Sequence, residues 1–419
     1  MEKNLNQRIG IIGAGPAGLT AAESLKAKGY TNVTLFEKNS QAGGKCSTSE
    51  FEGRAYELGA GVITANNHTV LGLAKKFGVK IEQINFSRKI IFLDKKTGKP
   101  ITRKTPFTEK LSFLHQIFLR YKKLFDKYKK VAEPGLSHIP EELCIPFSEW
   151  VSQHNIPLVA KELAPFFTGF GYSYFDEVPA AYVLKYYSWA TLQSFIKKAV
   201  YCFPQGIQKL WMAVAKDHHV LYDTLVQNVE RSDAVTIKTS HGEFIFDSLI
   251  LACPLDDALQ YLDAREEEKD LFSKIIYCDY RTYACHLSDF PKQDGYIPDN
   301  FSALGKGHPV FWYPWDQRHP NSDLFTFYVL GDWKISDDDV LKNIENIVHN
   351  LGGKITKVET IAHWKYFPHV NSEEMSNGYF DKLESLQGKN STFYVGELLN
   401  FSTVELSSEY SQKLVQKYF

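Results

Sequence analysis

Gly13-Ala14-Gly15-Pro16-Ala17-Gly18 decides the fold through what flanks it. An apolar run, Ile9 to Ile12, reads as a buried strand, and Leu19-Thr20-Ala21-Ala22-Glu23-Ser24-Leu25 reads as a helix. Strand, glycine turn and helix together make the setting a dinucleotide needs. Gly13 permits the tight turn, Gly15 lets backbone approach a pyrophosphate, and Gly18 lets the helix pack closely on the strand. The helix N-terminus adds unpaired N–H groups and a partial positive charge. A second strand, Val33-Thr34-Leu35-Phe36, ends in Glu37, about where a carboxylate accepts both hydroxyls of an adenosine ribose.

The pattern beyond Glu37 points to FAD rather than NAD. Lys38 follows the acid, and Gly43-Gly44-Lys45 forms a second glycine turn that brings backbone and a cation to the same pyrophosphate. A third turn, Tyr56-Glu57-Leu58-Gly59-Ala60-Gly61, offers further close approach through Glu57, Gly59 and Ala60. The segment Thr224 to Val229 is placed to lay backbone against adenine at Val226. Near the C-terminus, Phe393-Tyr394-Val395-Gly396-Glu397 reads as a strand that delivers a carboxylate, followed by a helix from about Val404. Such an acid bonds a ribityl chain, and such a helix points its N-terminus at the flavin edge that gains negative charge on reduction. The expected cofactor contacts are therefore Gly13, Gly15, Pro16, Ala17, Gly18, Glu37, Lys38, Gly43, Gly44, Lys45, Glu57, Gly59, Ala60, Val226, Gly396, Glu397 and Val404.

A chain of 419 residues buries a large core with ease and has room for more than one domain. A formal net charge of −1 gives no global sign of a nucleic-acid partner. The six cysteines, Cys46, Cys144, Cys202, Cys253, Cys278 and Cys285, show no C-x-x-C pair and no metal-ligand spacing, so no metal is expected. They suit reduced thiols in a cytoplasmic setting. Met1 to Arg8 is polar and leads straight into the first strand, and no apolar run approaches ~18 residues, so neither a leader nor a membrane span is expected.

The fold class is α/β. A Rossmann-like nucleotide-binding domain is expected from three pieces, residues 1–94, 203–265 and 386–419, with a helical cap at 95–202 and a mixed-sheet substrate domain at 266–385. The cap opens on a basic stretch: twelve Lys and Arg lie between Lys95 and Lys130, interleaved with Phe113, Ile117, Phe118, Leu124 and Phe125. Two readings stand, a solvated helix packed on the domain by its apolar face and a basic amphipathic surface resting on anionic lipid.

The nucleotide motifs, with Glu57-Leu58-Gly59-Ala60 and Gly396-Glu397, resemble the flavin-containing amine oxidase superfamily. Within it, Pro146-Phe147, Thr168-Gly169-Phe170-Gly171-Tyr172, Val178 to Tyr186, Tyr366-Phe367-Pro368-His369-Val370 and Asn390 to Tyr394 are similar to the bacterial polyenoic fatty acid isomerases that form conjugated linoleic acid. The resemblance implies an FAD-dependent, redox-neutral double-bond shift in a polyunsaturated free fatty acid. Flavin N5 removes a hydride from the bis-allylic carbon and returns it at one end of the pentadienyl system, with no catalytic protein side chain. It also implies that Arg88 holds the substrate carboxylate and that Phe170 and Phe195 line or gate the channel, with Tyr172 expected as a further substrate contact in its wall. Phe166, Phe167, Tyr174, Tyr186, Phe311, Trp312 and Tyr313 are expected beside them as apolar walls, and His369 is expected as a structural histidine or a neighbour of the flavin. Two other functions stay open: an amine oxidase or related oxidoreductase, and a flavin- or lipid-binding protein without catalysis. Such oxidases place a lysine in the strand corresponding to about Tyr277 to Leu287, and that strand holds none here.

Overall fold

The computed structural model describes residues 4–84, 90–95, 97–101, 106–314 and 322–419. Ile9–Ile12 is buried at every position, as a strand covered on both faces must be. It sits at the centre of a five-stranded parallel sheet in the order His219–Leu221, Val33–Phe36, Ile9–Ile12, Ser248–Leu251, Thr392–Tyr394. Three separate stretches of chain thus build one sheet. The glycine-turn helix, Pro16–Ala27, packs with the C-terminal helix, Val404–Tyr418. On the other face lies the antiparallel meander Val226–Arg231, Val235–Thr239, Gly242–Phe246. Its Phe244 and Phe246 meet Phe36 edge-on, with ring centroids 5.2 and 5.8 Å apart.

The second sheet has seven strands, in the order Lys354–His369, Ile276–Ser288, Leu324–Leu330, Pro309–Pro314, Asp294–Tyr296, Ile90–Leu93, Pro100–Ile101. Its pairing is antiparallel except between Asp294–Tyr296 and Ile90–Leu93. Two of its strands, Ile90–Leu93 and Pro100–Ile101, come from outside the 266–385 stretch. Polar positions carry Lys354–His369 well beyond its apolar stretch, Ile361 to Phe367. One face of the sheet packs Tyr283, Cys285, Phe325 and Phe327 against Val340, Ile344 and Val348 of helix Asp337–Asn350. The other carries Tyr280 and Tyr328, which line a large interior cavity. The cap is helical: Phe107–His115 runs through a π-helical turn, Gln116–Tyr121, into Lys122–Lys127, followed by Phe147–His154, Pro157–Phe167, Ala180–Tyr186 and Trp189–Ile196.

A buried ion network clamps the nucleotide-binding layers. The Arg231 guanidinium donates through Nη1 and Nη2 to the two Glu268 oxygens at 2.6 and 2.8 Å, and through Nε to Asp263 at 2.6 Å. Tyr394, on the last strand of the parallel sheet, donates its hydroxyl to Glu268. The Arg231 side chain is 1% exposed, so removing it strands a carboxylate without water, which costs about 3–5 kcal/mol. Glu268 is held below the ordinary carboxylate range by Arg231 and Tyr394 against the opposing effect of its burial. Its share of stability is present above the unfolded pKa and is lost as pH falls through the lower folded one. Arg231→Met is expected to unfold at markedly lower temperature than wild type, with the gap narrowing as the pH is taken toward 3, measured by thermal circular dichroism.

Candidate active site

The first glycine turn is built by contact of backbone with backbone. A β-carbon at Gly18 would lie 2.0 Å from the Gly13 carbonyl oxygen, so the helix can start there only without a side chain. A β-carbon at Gly15 would lie 3.7 Å from the Gly44 α-carbon; the two glycine turns touch across an edge clear of side chains. Glu37 is 5% exposed and closes this edge, one oxygen accepting from Ala14 N and the other from Asn39 N, both at 2.9 Å. Each oxygen keeps a lone pair, as recognition of a ribose requires. Pro16 and Ala17 form the first helical turn, Lys38 is exposed just past the acid, and Val226 opens the meander.

Past Gly44 the chain enters a cavity of about 880 Å³ lined by Lys45, Glu57, Gly59, Ala60, Val404, Phe170, Tyr172 and Phe195, among others. Lys45 Nζ binds Glu397 at 2.8 Å, joining the second glycine turn to the C-terminal strand end that follows Gly396. The Tyr56 to Gly61 turn is docked on the sheet, where Thr282 Oγ1 and Trp364 Nε1 both donate to the Leu58 carbonyl, at 3.1 and 2.8 Å. Thr403 caps the C-terminal helix through Leu406 N at 3.1 Å, and Thr403 and Val404 line the cavity. The positive end of that helix therefore borders the space. Glu57 turns its oxygens onto Thr48 Oγ1 at 2.6 Å and Ile207 N at 2.8 Å, and burial pushes its pKa up to about 7.

The far wall is a ladder of stacked rings. Tyr172 stacks on Tyr366 with centroids 5.7 Å apart, Tyr366 on Tyr280 at 5.4 Å, and Phe311 on Tyr328 at 4.3 Å with planes 3° apart. The loop that presents Phe170 and Tyr172 lies flush on this wall. Gly171 has φ +86°, its absent β-carbon would sit 2.8 Å from the Tyr280 ring, and Tyr280 donates its hydroxyl to the Gly169 carbonyl at 2.8 Å. Phe195 stacks on Phe166 at 5.3 Å. Burial raises the hydroxyl pKa values of Tyr172, Tyr186, Tyr280, Tyr328 and Tyr366 well above the ordinary phenol range. These rings are neutral walls at any working pH.

Of the aromatic walls expected from sequence, Phe166, Tyr186, Phe311, Trp312 and Tyr313 line the cavity, whereas Phe167 and Tyr174 do not. Phe167 is fully buried, inserted among Tyr172, Phe175, Tyr186 and Phe367. His369 is buried and donates from Nδ1 to the Phe367 carbonyl at 2.7 Å, and burial holds its pKa down to about 4, which fits the structural reading. Arg88 lies outside the described residues; Ile84, the last described residue before it, lines the cavity. Sequence reading missed Tyr280, Tyr328, Trp364 and Tyr366, which stand on three different strands; the two-residue spacing of Trp364 and Tyr366 was the one local signal. Lys365, next to Trp364, is tied to Asp256 and Asp257. Among the described residues no set of three His, Cys, Asp or Glu side chains is arranged to hold a metal, and no helix is long and apolar enough to cross a membrane.

A family model described as flavin-containing amine oxidoreductase matches residues 16–379. Among solved structures, a conjugated-linoleic-acid-producing fatty acid isomerase from P. acnes is 30% identical, covers all of both chains and superposes with a TM-score of 0.92. Cyclohexylamine oxidase from Brevibacterium oxydans, 14% identical over 98% of each chain with a TM-score of 0.71, shares the fold. An FAD-dependent oxidoreductase of Cochliobolus heterostrophus, oblC, is 24% identical over 94% of this chain and 86% of its own length. FAD is the cofactor of this family, and the touching glycine turns, the buried acid Glu37 beside them and the helix end bordering the cavity fit it. Glu37→Ala is expected to weaken FAD binding about 10- to 100-fold, as loss of one charged acceptor implies, read by flavin fluorescence on dilution with near-ultraviolet circular dichroism as the fold control. Because the folded pKa of Glu57 lies above its ordinary value, its ionisation opposes folding as pH rises from about 4.5 to about 7. Glu57→Gln is accordingly expected to gain stability relative to wild type between pH 5 and pH 8 in denaturant titrations, and a constant difference would contradict this. The matched family model and the full-length likeness establish that the chain belongs to the flavin-containing amine oxidoreductases and is an FAD-dependent enzyme.

Proposed function

We propose that this enzyme shifts a double bond in a free polyunsaturated fatty acid of the linoleate type, leaving a conjugated diene with no net oxidation. The observation that carries the reading is the full-length likeness to a fatty acid isomerase, joined to a cavity whose walls have the chemistry of an acyl chain. FAD, when bound, supplies an electron-pair acceptor that can also give back what it takes. The chain's own part is placement and exclusion of water. Rings from the cap and the sheet confine an apolar chain beside the helix end at Thr403 and Val404, and confinement of this kind supplies most of a rate enhancement that needs no protein acid or base. The Tyr280 hydroxyl is held by the Gly169 carbonyl and the Tyr328 hydroxyl donates to Tyr313 at 2.6 Å, so neither is offered as a base. Ring faces stabilise cationic character in the substrate by about 0.5–2 kcal/mol each. Lys45, the cation on the cofactor side, is neutralised by Glu397.

Head-group binding falls to Arg88 by the resemblance of its position, with two parallel hydrogen bonds to the carboxylate. The competing oxidase reading is disfavoured by the strand Ile276–Ser288, which carries no lysine, and by the ion pairs that occupy Lys365. Holoenzyme given linoleic acid under strictly anaerobic conditions is expected to accumulate conjugated-diene absorbance over many turnovers. A requirement for oxygen or another acceptor in each turnover would transfer the case to the oxidase. Arg88→Ala is expected to raise KM about tenfold or more with a smaller change in kcat, and an unchanged KM would remove Arg88 from substrate binding.

A further inference from the structure

The cap carries an apolar stripe that the described residues leave exposed. Phe107, Leu111, Leu114 and Phe118 follow one another at spacings of four, three and four, which sets them on one side of the helix. Their exposures are 73, 50, 48 and 44%. In an unbroken α-helix the series would continue into Tyr121 and Phe125, both buried. The π turn Gln116–Tyr121 lies between the two halves, and its wider i→i+5 geometry rotates one relative to the other. The C-terminal half packs inward while the N-terminal half turns its large side chains to water. An exposed row of Leu and Phe is costly to keep and marks a contact surface.

The charges around the stripe select its partner. Between Phe107 and Lys130 stand seven basic residues, Lys110, Arg120, Lys122, Lys123, Lys127, Lys129 and Lys130, against Glu109 and Asp126. Both acids are occupied, Glu109 by Lys161 at 2.7 Å and Asp126 by Lys122. Lys110, Lys123, Lys129 and Lys130 are exposed and make no ion pair with any described residue. A stripe of Leu and Phe flanked by lysines is the composition of a helix that lies in the head-group layer of an anionic membrane. The stripe is also one ring away from the cavity: Phe118 meets Trp189 edge-on at 5.8 Å, Lys122 Nζ lies 5.4 Å from the Trp189 ring centre, and Trp189 and Phe125 line the cavity.

We propose that residues 107–130 dock the enzyme on the surface of an anionic lipid bilayer. The docking stands on exposure and charge alone; its use, admission of a lipid-dissolved fatty acid beside Trp189, rests on the isomerase reading. The test is flotation of the full-length holoenzyme with vesicles of phosphatidylglycerol and phosphatidylcholine, compared with phosphatidylcholine alone. The enzyme is expected to float with the anionic vesicles, only weakly with the neutral ones, and less as salt rises to about 0.5 M, where exposed charges are screened within a few ångströms. Leu111→Asp with Leu114→Asp is expected to lower the bound fraction about tenfold or more while flavin absorbance and near-ultraviolet circular dichroism stay those of wild type. Lys123→Glu, Lys129→Glu and Lys130→Glu together are expected to abolish the preference for anionic lipid and to leave turnover of dissolved fatty acid unchanged. Absence of flotation, equal binding to neutral vesicles, or binding untouched by either set of changes would overturn the proposal. So would a dimer in sedimentation velocity that the Leu111/Leu114 changes dissolve, since the stripe would then be covered by a second copy. Flotation requires no turnover, so its failure and failure of the isomerase reading are separate results.

Discussion

Backbone meeting backbone without intervening side chains is the constraint on which the rest of this molecule depends. Gly18 rests against the Gly13 carbonyl, Gly15 faces Gly44, and a β-carbon at Gly59 would lie 2.0 Å from the Lys45 carbonyl oxygen. These contacts bring three turns from the first sixty residues to one edge of the parallel sheet. Donor groups at the start of helix Pro16–Ala27 are thereby left facing a clear edge, where a pyrophosphate can approach. The same packing fixes where Lys45 emerges, and its ion pair with Glu397 ties the N-terminal turns to the last strand of the chain. One edge and its neighbouring cavity are thus assembled from elements hundreds of residues apart in sequence.

On the far side of that edge the requirement changes from polar recognition to exclusion of water. Tyrosines suit the wall because a ring offers an apolar face while its hydroxyl can be tied within the protein, as Tyr280 is to Gly169 and Tyr328 to Tyr313. Stacked pairs of this kind contribute about 0.5–1.5 kcal/mol each beyond area burial. The wall is therefore stiff, and stiffness is what the proposed placement-governed reaction needs. The Tyr56 to Gly61 turn, hung from Thr282 and Trp364 of the sheet, couples the two regions directly.

The fingerprint at residues 13–18, the acid at Glu37 and the second glycine turn were legible because their requirements are local: a close approach or a capped strand is written in adjacent residues. The cavity wall was legible only in part. Ile276–Ser288 is buried on both faces over most of its length, so the alternation that would separate Tyr280 from Tyr283 is absent. Phe167 and Phe170 belong to one short aromatic run, and only the turn at Gly169 and Gly171 decides that the first enters the core while the second faces the cavity. The π turn in the cap has no signature in the spacing, which reads as one continuous stripe. Arg88 was reached by resemblance alone.

On the proposed isomerisation, the substrate's own hydrogen leaves and returns beside the aromatic wall without exchange with water. This is tested most directly with linoleate deuterated at the bis-allylic carbon and turned over in ordinary water, followed by mass analysis of the conjugated product. Retention of the departing deuterium at a new position in the product is the result expected. Its replacement by solvent hydrogen would contradict a dry, base-free site and place an exchangeable acid or base in the reaction.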